Sequence, residues 1–334
     1  MFSSNTIISC LLFVAGLVLL IKGGDYFVDG AVGIAHRFRL PEVLIGATVV
    51  SIGTTLPEVM VSTQAAAAGN GSIAYGNAIG SCICNTALIA AVTIAALSPK
   101  VDKTTFRVPT LFFFIALAVY YFNAYVYGDF TRLGGIILLV IFVVYMVISV
   151  KTAFADSRIK AAVEPAEADP APVPAAKSSL IKEIILLIAG AMFIAIGAKL
   201  LVDNGTVIAK WLGVPDSVIA LTFVAIGTSL PELVTAISAL VKRHGALSLG
   251  NIVGANLFNL VLVSGLAVTV SPFQIPAEKT FSGINSSLLI DLPLVGVIML
   301  AFTLPACFKG KIPRWIGIVL LVIYAAFCVY QFAF

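Results

Sequence analysis

The chain has 334 residues, of which 60% are hydrophobic and only 11% charged, and its mean hydropathy is +1.10. Soluble domains carry about 25% charged residues, so a sizeable soluble domain is excluded and a polytopic membrane protein, all-α, is expected. The net charge of +4 does not imply nucleic-acid binding, because membrane topology itself demands Lys and Arg on one side.

The first apolar run, Ile7 to Ile21, has no Lys or Arg before it. It therefore lacks the charged start of a cleavable leader, and it continues through Gly23-Gly24 into Tyr26-Phe27-Val28. Apolar length predicts ten transmembrane helices: 7–35, 43–67, 73–97, 108–127, 133–151, 181–211, 217–241, 248–271, 287–305 and 314–333. Residues 152–178 separate the fifth from the sixth. They hold Pro165, Pro170, Pro172 and Pro174 among alanines and charges, a composition that cannot bury a core and reads as a flexible linker. The chain thus divides into a first five-helix repeat, 1–151, the linker, and a second repeat, 179–334.

The halves repeat in sequence at an offset of 174 residues. Gly53-Thr54-Thr55-Leu56-Pro57-Glu58 matches Gly227-Thr228-Ser229-Leu230-Pro231-Glu232. Gly76-Asn77-Ala78-Ile79-Gly80-Ser81 through Asn85 matches Gly250-Asn251-Ile252-Val253-Gly254-Ala255 through Asn259. Val28-Asp29 matches Val202-Asp203, Pro41 matches Pro215, and Thr48 matches Thr222. A repeat of five spans, an odd number, enters the membrane the opposite way the second time, which predicts two inverted-topology repeats. With the N-terminus outside, sixteen of the twenty Lys and Arg residues fall on the side of the odd-numbered loops. That bias predicts a multi-pass protein of the cell membrane with both termini outside and the linker cytoplasmic.

A carboxylate in hydrocarbon is expensive and by default functional. Ser51, Thr54, Thr55 and Glu58 share one helix face by their spacing, as do Ala225, Thr228, Ser229 and Glu232. Pro57 and Pro231 free the carbonyls of Gly53 and Gly227, four residues back. Ser81 and Asn85 share a face in the next span, with Ala255 and Asn259 at the matching places. A single such string reads equally well as a structural Pro kink; two matched copies with both glutamates retained do not. The set is two carboxylates, hydroxyls, two amides and freed carbonyls, with no His or Cys. All-oxygen ligation suits hard cations, and a flexible set suits calcium better than magnesium; the same oxygens can hold sodium. Asp29 and Asp203 read as interface charges rather than ligands, and His36 and His244 as solvated loop residues. Cys10, Cys82, Cys84, Cys307 and Cys328 lie in or near apolar spans, where thiols act as small hydrophobes; no disulfide framework is expected.

These paired motifs resemble the α-repeats of the cation/calcium antiporter superfamily, most closely the prokaryotic sodium/calcium exchangers. The resemblance covers nearly the whole chain. It implies that calcium and sodium ions are the transported partners, with no cofactor and no enzyme activity, in a monomer within the lipid bilayer. It implies an ion core of spans 2, 3, 7 and 8, across which spans 1 and 6 slide to alternate access. By motif position, Glu58 and Glu232 chelate calcium with the backbone oxygens of Thr54 and Thr228. Sodium uses Ser51, Thr55, Ser81, the Ala225 carbonyl, Thr228 and Ser229, while Asn85 and Asn259 line the middle. Many relatives carry Asp at the position of Asn259 and Ser at that of Ala255. The Asp is associated with potassium, so potassium dependence is not expected. Calcium/proton exchange at the same glutamate pair is the alternative. An intramembrane hydrolase would need cleavage of a peptide, and a channel would pass current without a counter-ion.

Overall fold

Proline, glycine and charged residues punctuate the apolar runs at intervals that leave ten helices. The computed structural model describes residues 4–38, 40–163, 179–212, 229–277, 280–281 and 283–333. The helices are α1 (Ser4–Arg37), α2 (Glu42–Ala67), α3 (Gly71–Leu97), α4 (Lys103–Tyr127) and α5 (Arg132–Val163). There follow α6 (Leu180–Trp211), α7 (Leu230–Val241), α8 (Gly245–Val270), α9 (Ser287–Lys309) and α10 (Arg314–Ala333). Nine of them, among the described residues, are long and apolar enough to cross a membrane. The tenth, α7, is the described part of the span expected at 217–241.

One expectation is corrected. The linker was read to begin at 152, yet α5 runs on to Val163. Residues 152–163 contain neither Pro nor Gly, the residues that most disfavour a helix interior. The rest of the linker, 164–178, lies outside the described residues.

Helices α1 and α6 pack antiparallel along their length through a seam of glycines. A Cβ on Gly16 would stand 2.9 Å from the Gly197 carbonyl oxygen, and one on Gly23 would stand 3.0 Å from that of Gly190. Only glycine permits such close backbone approach. Beyond the seam the Arg37 guanidinium donates to both oxygens of the buried Glu183, at 2.8 and 3.0 Å. Helix α1 also meets α7: Lys242 donates to Asp29 at 2.7 Å and to the Asp25 carbonyl at 2.8 Å. Asp29 is therefore paired, and Asp203 bonds Lys199 one turn away at 2.9 Å. His244 is not solvated as expected; its Nδ1 lies 2.8 Å from Glu42 Oε1.

The apolar core lies between α3, α4, α8 and α9, where Phe106 meets Phe302 edge-on and Phe258 meets Phe142 and Tyr145. At one end, strand Asp129–Phe130 pairs antiparallel with Phe273–Gln274. At the other, Lys100 bridges Lys311. Each link ties a loop of the first half to a loop of the second.

Candidate functional site

Helix α2 is π-helical over Gly46–Val50, returns to α at Ser51, and contains Pro57 within its turns. Of four further π segments among the described residues, two begin at matched residues, Asn85–Ala90 in α3 and Asn259–Val263 in α8; the others are Asn123–Tyr127 and Ser287–Asp291. Such widened turns are rare and gather at functional sites. Here the matched two fall on the asparagines singled out by the repeat. The Asn259 segment packs on α2 and α3, and the Asn85 segment on α7 and α8.

Glu58 on α2 and Glu232 on α7 are 1% and 0% exposed. Their carboxylates lie close enough to act on each other electrostatically, and the Thr54 and Thr55 side chains stand beside Glu232. Among the described residues, all four carboxylate oxygens lack a hydrogen-bond partner, as do the Thr55 hydroxyl and both amide atoms of Asn85 and Asn259. Buried polar atoms are normally paired, and a buried carboxylate without a partner costs several kcal/mol. These atoms, from α2, α3, α7 and α8, make up a candidate oxygen cage. No group of three or more His, Cys, Asp or Glu side chains that could hold a metal occurs among the described residues. The candidate cage holds two acids among otherwise neutral groups, a donor chemistry that suits hard cations.

The remaining site candidates divide. Thr54, Ser81 and Ser229 are buried, and Ser229 and Glu232 both neighbour the Cys84 thiol. Ser51 is buried too, but its hydroxyl reaches the Gly46 carbonyl at 2.8 Å, the Asn251 carbonyl at 2.9 Å and Asn251 Oδ1 at 3.2 Å. It clasps α2 to α8. Ala225 and Thr228 lie outside the described residues, as do Gly227 and the freed carbonyl expected there.

Close approach of α2 and α8 makes the clasp. A Cβ on Gly254 would stand 2.5 Å from Ala47 Cα, and one on Gly46 would stand 2.7 Å from the Asn251 nitrogen.

Two further asparagines of the repeated strings bond to residues beside the glutamates. Asn77 donates to the Glu58 carbonyl at 3.3 Å and to Ser62 at 2.9 Å, holding the backbone of the first glutamate. Asn251 accepts from Ser51 and from Thr54, the latter at 3.4 Å, while its Nδ2 stays unpaired. Their signal was present in the repeated Gly-Asn dipeptide. Thr235, one turn beyond Glu232, adds a buried unpaired hydroxyl that the sequence reading did not weigh.

Comparison with known proteins agrees with this geometry. The family model described as "Sodium/calcium exchanger protein" matches residues 8–151 and 182–333. An uncharacterized membrane protein of Methanocaldococcus jannaschii, MJ0091, is 35% identical over 93% of this chain and 94% of its own. The sodium/calcium exchanger MaX1 of Methanosarcina acetivorans is 30% identical over 97% and 99%. Among solved structures, the sodium-calcium exchanger NCX_Mj soaked with sodium and strontium superimposes with a TM-score of 0.79 at 30% identity, covering 96% of this chain and 98% of that one. A multi-pass helical membrane protein matched over both halves in this way is an ion antiporter, and the chain belongs to the sodium/calcium exchanger family.

Proposed function

We propose that the chain exchanges sodium for calcium across the cell membrane by alternating access, with Glu58 and Glu232 as the shared chelating pair. The observation that carries this is the pair of fully buried carboxylates with four unpartnered oxygens. Two carboxylates balance the charge of one calcium ion. Sodium ions compete for the same acids and for the neutral oxygens of Thr55, Ser81, Asn85, Ser229 and Asn259, with the Ala225 and Thr228 oxygens completing the set from the second repeat. Oxygen ligands of this kind suit both ions. With neither ion bound, both charges would have to pass through an occluded, low-dielectric state. That cost opposes switching of the empty carrier and couples the two fluxes.

The inverted relation of the halves is supported by the glycine seam. Gly16 and Gly190 are equivalent under the 174-residue offset, as are Gly23 and Gly197, and the contacts pair Gly16 with Gly197 and Gly23 with Gly190. A two-fold axis in the membrane exchanges these contacts. Cys82 and Asn256, another equivalent pair, touch directly, thiol to carbonyl at 3.5 Å. The welded α1–α6 pair is the candidate moving element. Gly24 of α1 packs on Val234 and Ser238 of α7, and Phe27 covers Gly53 of α2, so α1 touches both glutamate helices.

The test is calcium-45 flux in proteoliposomes under sodium, proton and potassium gradients imposed one at a time. Sodium-driven uptake is the expected result. Uptake driven by protons with sodium absent would assign the glutamate pair to calcium/proton exchange instead.

A further inference from the structure

A cleft of about 480 Å³ opens where α3 gives way to α4 and α9 to α10; Leu97, Ser98, Lys311, Pro313 and Arg314 line it. The two loops that form it are fixed to each other. The Val101 N–H donates to the Gly310 carbonyl at 3.0 Å, and the Ser98 hydroxyl to the Ile312 carbonyl at 2.7 Å. Ser98 sits at φ 47°, a left-handed conformation uncommon outside glycine that the second bond helps to hold.

This platform concentrates positive charge. Lys100, Lys103, Lys309, Lys311 and Arg314 are all exposed, and none forms an ion pair among the described residues. Lys100 and Lys311 stand opposite each other in the bridge, a like-charge pairing that destabilises unless an anion intervenes. Asp102, the acid of this stretch, accepts from the Thr105 N–H and from the Thr104 and Thr105 hydroxyls as the cap of α4. Next to Arg314, Trp315 is 63% exposed, and Ile318, one turn on, is 57% exposed. Cations at the rim, an interfacial tryptophan and an apolar strip along the span fit a ligand that is anionic at one end and apolar at the other.

We propose that this cleft binds the phosphate headgroup of an anionic phospholipid in the adjoining leaflet. Lys311 and Arg314 meet the phosphate, and the acyl chains lie along Trp315 and Ile318. Arginine's fork matches phosphate oxygens, and basic pockets between transmembrane helices recognise such headgroups. Free phosphate has the same charge chemistry but no use for the apolar strip, which is why the lipid is preferred.

The test uses the full chain purified in detergent and titrated with phosphatidylglycerol, phosphatidylcholine or inorganic phosphate. Thermal unfolding is followed, and retained lipid is counted by native mass spectrometry. Phosphatidylglycerol should be retained and should raise the unfolding midpoint, while phosphatidylcholine and inorganic phosphate should not. Each basic side chain near an anionic surface contributes about fivefold, so Lys311→Gln/Arg314→Gln should weaken phosphatidylglycerol binding roughly thirtyfold. If the double variant does not fold, each single variant should lose about fivefold. Arg132→Gln, at the opposite end against the Thr269 carbonyl, should bind as the parent does. The proposal is overturned if the parent shows no preference for phosphatidylglycerol or if the cleft variants bind it unchanged. An equal response to inorganic phosphate would assign the site to the free ion and overturn the lipid.

Discussion

Replacing Gly254 with alanine tests whether flush contact of α2 and α8 holds the oxygen cage in register. The new methyl would stand 2.5 Å from Ala47 Cα and 2.7 Å from the Ala47 carbonyl oxygen, and ordinary contact begins at 3.4 Å. These are backbone atoms, so no rotamer change relieves the overlap, and the helices must part by about 0.9 Å (3.4 − 2.5). The Ser51 bond to the Asn251 carbonyl, now 2.9 Å, would stretch to about 3.8 Å, beyond hydrogen-bonding range. Overpacking of this size costs about 1–3 kcal/mol, and the lost bond adds about 1 kcal/mol. The cage suffers more than the fold, because an error of about 1 Å in a constellation of functional groups can lower its rate about a hundredfold. Thermal unfolding and sodium-driven calcium-45 uptake, measured side by side, should both fall, uptake the further. Ser51→Ala removes only the clasp's hydrogen bonds and should cost about 1 kcal/mol with a smaller loss of flux. A Gly254→Ala protein that melts and transports like its parent would refute the idea that this contact positions the site.

Glu58→Gln and Glu232→Gln should each abolish calcium uptake while leaving the unfolding midpoint at or above the parent's, since an amide replaces a carboxylate that is costly to bury; near-normal flux in either would remove that residue from the site. Sodium-driven calcium flux should persist with potassium fully replaced by choline, because residue 259 is an amide, and Asn259→Asp should alter the cation selectivity measured in the same assay. Cutting residues 164–178 to a short Gly-Ser tether should keep exchange within about twofold of the parent, given their Pro- and Ala-rich composition; normal expression without flux would show that the segment gates transport.

The spans were legible because hydropathy over about 20 residues is a strong signal, and nine appear as helices within a few residues of their expected bounds. Where the reading stopped short, a local rule was available but underweighted: residues 152–163 lack helix breakers, and α5 covers them. Other features depend on residues far apart in sequence. His244 looked solvated because its own loop is basic, yet its partner Glu42 lies 202 positions away. Glu183 and Arg37 meet across 146 positions. The π segments at Asn85 and Asn259 were illegible for a different reason: hydropathy does not register whether an amide bonds four or five residues back. Only the matched asparagines marked the place.

Two groups of acids in the described helices and joining segments contrast sharply, and the contrast bears on where the proposed site lies. Asp25, Asp29, Glu42, Glu183 and Asp203 each meet a basic side chain within 4 Å. Their charge is answered inside the protein, and they fix helix to helix or turn to turn. Glu58 and Glu232 are more deeply buried than any of these, yet among the described residues no Lys, Arg or His reaches them. A protein cation placed between them would satisfy the pair permanently and, with it, end any use for a cation from solution. The hydroxyls and amides around them supply only partial charge. They therefore lower the cost of burial without removing it, and on the proposed function the balance falls to the transported ions. On this account the motif's two glutamates matter less as strong ligands than as charges that the fold declines to neutralise.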